Sequence, residues 1–361
     1  MFAVASGYLY MSSHHTWTLV RHRSSAIAAA LLTTLLIASV TASASGTAAA
    51  APGAPAAAAA AVQHPVRALK ITVLVTNVAG DLRAGDGEWG FSALVEVDGH
   101  KLLYDTGASA DLVLRNARTL HIDLSDVEDV VLSHNHGDHV GGLMMLRTEF
   151  SKTNPRAMSR VHVAAGIFQP RLTSTGEDHN GLKDIRAQYL ATGGSFIVHD
   201  GPTELLPGVW FMGPVPRPNN EKNWFPGLSL DTPSGRIEDN VPEDSPLLFD
   251  TAEGTVILTG CAHAGVINIV EYARRLLGAQ PLIAIVGGIH LFAASDATLA
   301  WTASKLKEYG LQNLLAAHCT GFEATYRLRQ LTGLTRETAV VAAVGSSFTL
   351  GKGIDPLALA R

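Results

Sequence analysis

The stretch VVLSHNHGDHVGGL, residues 130–143, places His134, His136, Asp138 and His139 within one short turn directly after an apolar run. The run reads as a buried strand. A side-chain period of two sends His134 and His136 to the same side of an extended chain, so both imidazoles reach one point beyond the strand's end. Gly137 lets the chain turn sharply, and Asp138 and His139 then open a helix running to Phe150, aimed at the same volume from a displaced position. Four good ligands at this density argue against ordinary N-capping and surface histidines. The displacement predicts two adjacent metal positions rather than one.

Neutral imidazoles with one carboxylate favour Zn, Fe, Mn or Co over Mg or Ca. One cluster cannot saturate two ions, so further ligands are required at the ends of other strands. The second half supplies VILTGCAHAG with Cys261 and His263, IAIVGGIHL with His290, and LLAAHCTG with His318. Each histidine follows an apolar run, which points to a shared site.

The chain has 361 residues and 47% hydrophobic content, enough for a sizeable core. A formal net charge of −5 gives no basic field for nucleic acid or an anionic membrane, so a small-molecule substrate is expected. Arg21 to Arg23 precede the apolar run Ala26 to Val40, and Ala42 and Ala44 form a small-x-small pattern. This reads as an export signal over residues 1–44, with Met11 as an alternative start and an uncleaved anchor as the alternative fate. The expected location is the periplasm or outside the cell, with no stable membrane association once the signal is cleaved. Residues 45–67 read as an Ala/Pro-rich tether, and residues 68–361 as the folded domain. Two cysteines, Cys261 and Cys319, form no disulfide framework, although a single bridge is compatible with export.

From Ala68 onward short β-branched runs alternate with amphipathic segments, and helices fit over Gly265 to Leu277, Asp296 to Tyr309 and Phe322 to Leu331. Two βα-rich halves imply a layered α/β domain. Between them, Pro202 to Pro246 reads as a loop region over a cleft. Its Trp210, Phe211, Arg217, Trp224, Phe225 and Arg236 are candidates for a substrate wall.

SHNHGDHVGGL, LTGCAHAG, GGIHL and HCTG, taken in order, resemble the metallo-β-lactamase superfamily of binuclear metallohydrolases. More narrowly they resemble the branch named for a dihydropterin ribofuranosyl-aminobenzene phosphate synthase. The resemblance implies an αββα sandwich with two divalent metal ions at the edge between two sheets, zinc in the first place and iron or manganese as alternatives. It implies that His134 and His136 hold the first metal, that Asp138 and His139 hold the second, and that His318 completes the second. Where many members carry a bridging aspartate after Thr-Gly, this chain has Cys261, and the upstream segment NVPEDSPLLF lacks the histidine found in many members. His263 is the choice for the first metal's third ligand, with Cys261, Glu243 and Asp244 as weaker candidates.

The expected chemistry is hydrolysis by a metal-activated water of an ester, lactone or phosphoester. Asp138 orients the water, and His290 is a further ligand, a substrate contact or an acid. Asp105, at the end of HKLLYDTG, is either an outer partner of a ligand or a plain turn aspartate. Two other functions compete. LLYDTGAS resembles an aspartic-protease loop at Asp105, with the poor second copy LLFDTAEG at Asp250. A non-catalytic metal-binding protein drawing also on His14 and His15 is the third reading.

Overall fold

Antiparallel pairing of the first apolar runs starts one sheet, and the runs that follow extend it in parallel. In a computed structural model that describes residues 65–81 and 85–358, the first half holds β1 (Leu69–Val75), β2 (Ser92–Val97), β3 (His100–Tyr104), α1 (Leu112–Thr119) and β4 (Asp129–Val131). It continues through α2 (Gly137–Val140), α3 (Leu143–Phe150), β5 (Arg160–Ala164), α4 (Leu182–Ala191) and β6 (Ser195–His199). The second half opens with β7 (Thr203–Leu206), β8 (Val209–Phe211), β9 (Ser229–Thr232), β10 (Gly235–Glu238), β11 (Leu247–Thr251) and β12 (Gly254–Thr259). It closes with α5 (Val266–Leu277), β13 (Leu282–Gly287), α6 (Asp296–Glu308), β14 (Asn313–Ala316), α7 (Phe322–Thr332), β15 (Ala339–Val341), β16 (Ser347–Thr349) and β17 (Gly353–Asp355).

One sheet has the order β17-β16-β1-β2-β3-β4-β5-β6 and the other β15-β14-β13-β12-β11-β8-β7, with β9 and β10 as a separate hairpin. Their inner faces share one core, to which Ile71, Val95 and Tyr104 contribute from the first sheet and Phe249, Leu258 and Val286 from the second. Outside the second sheet, Ile267, Leu299 and Leu328 of α5, α6 and α7 cover a second core. Outside the first, Leu112, Leu146 and Tyr189 of α1, α3 and α4 cover a third. Two helix layers around two sheets make the αββα sandwich expected from the motifs. Val66 is buried and donates to the Asp250 carbonyl, so packed structure includes the end of the Ala/Pro-rich segment. The export signal and most of the tether lie outside the described residues. Among the described residues no helix is long and apolar enough to cross a membrane.

Three local expectations are corrected. β4 stops at Val131, before His134, and the chain reaches His136 as extended loop. The helix foreseen from Asp138 to Phe150 is two pieces, because the Gly141 and Gly142 N–H groups donate to the Gly107 and Thr106 carbonyls of the β3–α1 loop. The segment Pro202 to Pro246 is not all loop. β7 and β8 join the second sheet there, since Pro202 and Pro207 flank a strand without interrupting its ladder.

Away from the ligand cluster, Asp129 on β4 accepts Nε and Nη2 of Arg160 on β5 at 2.6 Å each, and His162 Nε2 lies 3.1 Å away. Burial raises the Asp129 pKa, but His162 and Arg160 outweigh it and hold the carboxyl at about 2. A depressed folded-state pKa stabilises above the unfolded value of about 4 and loses that contribution as pH falls through the folded one. Asp129→Asn should therefore cost about 2 kcal/mol at neutral pH and flatten the fall in stability between about pH 4 and about pH 2. Urea unfolding across that range measures both.

Candidate metal centre

The site is built where β3, β4, β12, β13 and β14 end. Asp105 follows β3 in left-handed backbone, φ 56°, and its buried carboxylate organises the first half of the site. Ser133 donates its N–H to Oδ1 and its hydroxyl to Oδ2, both at 2.7 Å, and His139 Nδ1 lies 2.7 Å from Oδ2. Ser133 Oγ in turn lies 2.8 Å from His134 Nδ1. One carboxylate thus orients two rings, His139 directly and His134 through Ser133, turning both Nε2 atoms toward the cluster. Gly260 makes this possible from the second half: a Cβ there would stand 2.2 Å from Ser133 Oγ and 2.7 Å from Asp105 Oδ2.

The same device recurs on the other strands. His263 Nδ1 donates to the Asn223 carbonyl, and its buried Nε2 has no partner among the described residues. His318 Nδ1 lies 3.3 Å from Asn77 Oδ1, and its Nε2 faces Asp138 Oδ2 at 3.2 Å. His136 presents Nδ1 to His134 Nε2 at 3.0 Å. Ligand atoms of His134, His136 and His263 lie within 4.8 Å of one another, as do those of Asp138, His139 and His318. Cys261 stands between these triads, in convergent sets with His134 and His139 and with His263 and His290.

Electrostatics match that geometry. Burial, then the neighbouring imidazoles, hold His134 and His263 well below the ordinary histidine value, and burial drives His136 to about 4 against the pull of Asp138. These rings are neutral, the form that ligates. Burial acts the same way on His139, but Asp138 and Asp105 outweigh it and raise that ring to about 9. Asp138, despite burial, is held below the usual carboxylate range by His139 and His318.

Glu243 and Asp244 join none of the convergent sets found among the described residues. Glu243 pairs with buried Arg171 at 2.5 Å, and Asp244 accepts the Ala264 N–H at 2.9 Å, holding the turn that presents His263. His290 lies beside His263, ring centroids 4.7 Å apart, with Nδ1 unpartnered. It opens on a cavity of about 780 Å³ whose wall includes Lys222, Asn223, Trp224, Phe225, Phe292 and Trp301. Trp224 and Phe225 therefore lie where the sequence put a wall. The other four wall candidates do not: Phe211 is in the core, Trp210 packs on the second core, Arg236 pairs with exposed Asp231, and Arg217 braces the His263 and Val241 carbonyls. Ser133, Asn77, Phe292 and Trp89, whose ring packs against His318 at 4.8 Å, were not foreseen. Ser133 was in plain view inside the histidine run, whereas Asn77 and Trp89 come from a loop that carries no motif.

The Metallo-beta-lactamase superfamily family model matches residues 87–210, which contain the whole histidine run. The 7,8-dihydropterin-6-methyl-4-(beta-D-ribofuranosyl)-aminobenzene-5'-phosphate synthase of Methanocaldococcus jannaschii is 30% identical over 265 residues, 71% of this chain and 89% of that protein. The chain belongs to the metallo-β-lactamase superfamily. An uncharacterized protein of the same organism is 29% identical over 262 residues, 72% of this chain and 94% of its own. A crystal structure of a metal-dependent hydrolase of the beta-lactamase superfamily superposes with TM-score 0.61 at 26% identity, covering 77% of this chain and 98% of the other.

Membership in this superfamily implies divalent metal, and the residues present fit it. Four imidazoles have Nδ1 committed to acceptors, and the buried His263 Nε2 has no donor to accept from among the described residues. An aspartic-protease pairing is turned down by the same geometry. Asp105 is consumed by Ser133 and His139, while Asp250 lies in the β11–β12 hairpin, its backbone bonded to Gly208 and Val66.

Proposed function

We propose that this chain is a binuclear metal-dependent hydrolase of a small-molecule ester, lactone or phosphoester, working outside the cytoplasm. His134, His136 and His263 hold the first ion, and Asp138, His139 and His318 the second. The observation that carries the reading is the set of tautomer locks on His134, His139, His263 and His318 around two convergent triads, beside which His290 lines an open cavity. Two divalent cations, zinc by donor chemistry with iron or manganese as alternatives, would lower the pKa of water and stabilise developing negative charge. Asp138, whose side chain keeps some exposure to solvent, accepts a hydrogen bond from the attacking water and orients it. His290, which lines the cavity and whose buried Nδ1 has no partner among the described residues, gives a proton to the leaving oxygen. Phe225 and Phe292, both partly exposed, flank His290 at ring separations of 5.4 Å and form an apolar wall on that side of the cavity.

Purified protein assayed on phosphoesters, lactones, esters and β-lactams, with and without chelator, tests the reading. Turnover of at least one class should vanish with chelator and return with added metal. Full turnover in metal-free protein would overturn it. The synthase relative supports a second reading, in which an organic nucleophile replaces water, and product analysis separates the two. Phe225→Ala is expected to raise KM by up to roughly tenfold with little change in kcat, because it removes a wall and no reacting group. Steady-state kinetics on the best substrate of the panel read this out.

A further inference from the structure

Two thiols that complete neither triad meet beneath the metal centre. Cys261 follows β12, and Cys319 lies in the 3-10 turn His318–Thr320 after β14. Both are free and buried, with Sγ atoms 3.2 Å apart. The strand between them makes the meeting possible, since a Cβ on Gly288 would stand 2.8 Å from Cys319 Sγ and 2.3 Å from the Gly260 carbonyl oxygen. Backbone bonds fix both sides of the contact: Gly288 N–H donates to Gly260, and Phe292 N–H donates to the Cys319 carbonyl. The sulfurs are held together by sheet ends rather than by chance approach of loops. Cys261 Sγ also stands 3.2 Å from His139 Nε2, so its position controls the space between the triads. His290, which forms a convergent set with Cys261 and His263, lines the open cavity, so Cys261 lies directly behind a residue of its wall.

We propose that Cys261 and Cys319 are a reversible redox pair, whose disulfide draws Cys261 away from His139 and lowers metal occupancy. With hydrogen peroxide as oxidant the two thiols give up two protons and two electrons, the S–S bond forms, the O–O bond breaks, and two waters leave. A dithiol reverses this by thiol–disulfide exchange, becoming oxidised itself. The effect on metal rests on the ligand assignment made above; the bond itself does not.

The test treats the full, metal-loaded chain with hydrogen peroxide, then denatures it, alkylates it with iodoacetamide and weighs it intact. The expected protein takes up no label and is lighter by two hydrogens. Metal content and turnover should fall about tenfold together, the scale seen when a partner of a metal site is disturbed, and dithiothreitol should restore both. Cys319→Ser should keep its turnover through the same treatment. Two labels taken up after peroxide, or oxygen adducts on separate sulfurs, would overturn the pair. A disulfide formed with metal content unchanged would overturn the switch. Mass and metal content do not depend on turnover, so a protein that hydrolyses nothing counts against the proposed reaction and not against this pair.

Discussion

Asp138→Asn is expected to lower turnover by roughly 10²–10⁴-fold, the range for loss of a positioned acid or base, while the chain stays folded. The fold survives because the backbone of Asp138, not its side chain, ties it to the neighbouring loop: its carbonyl accepts the Phe91 N–H at 3.1 Å. The carboxylate faces His318 Nε2 at 3.2 Å and His139 Nε2 at 3.8 Å, so the amide keeps the shape and removes the charge that both rings and the second ion answer to. Metal analysis, circular dichroism and kcat on the same preparation check this. Turnover within tenfold of the parent, with both ions bound, would show that Asp138 neither ligates nor orients.

Asp105→Asn never touches an ion, yet it should weaken binding of the second metal by roughly 10–100-fold. The carboxylate accepts three bonds, from Ser133 N, Ser133 Oγ and His139 Nδ1, and an amide offers only one oxygen to accept them. With NH₂ in the Oδ1 place the Ser133 N–H loses its acceptor, and in the Oδ2 place Ser133 Oγ and His139 Nδ1 lose theirs; in either flip the neutral amide holds the His139 ring less firmly than the carboxylate did. A buried donor left unpaired also costs about 1–3 kcal/mol of stability. Competitive titration with a chromophoric chelator measures the first effect and urea unfolding the second. Unchanged affinity at the second position would reduce Asp105 to a turn aspartate, the plainer of the two roles its sequence context allows.

What was legible in the sequence was local. His134, His136, Asp138 and His139 are close in the chain, and His263, His290 and His318 each announce themselves by following an apolar run, so the donor types are readable from residue order alone. The layered α/β domain followed from alternating strand and helix periods, and the αββα sandwich from the resemblance carried by the ordered motifs. α4 was not foreseen, although Leu182, Ile185 and Tyr189 recur at helical spacing; β7 and β8 were hidden by prolines that mark strand ends. The tautomer locks were out of reach for a physical reason. The Asn223 carbonyl that fixes His263 is a backbone group with no side-chain signature, and Asn77 comes from a loop more than two hundred residues before His318. Nor does sequence flag backbone strain at Asp105, Ala262, His290 and His318, which all take φ between 47° and 56° without being glycine. Such strain is tolerated at a site that the surrounding sheets over-determine.

The most direct measurement is anomalous X-ray scattering from crystals of the metal-loaded chain. Two peaks are expected, one enclosed by His134, His136 and His263 and one by Asp138, His139 and His318, with the first absent in His263→Ala. No peak there in metal-loaded crystals, or ions bound elsewhere while those six side chains coordinate nothing, would contradict the binuclear centre.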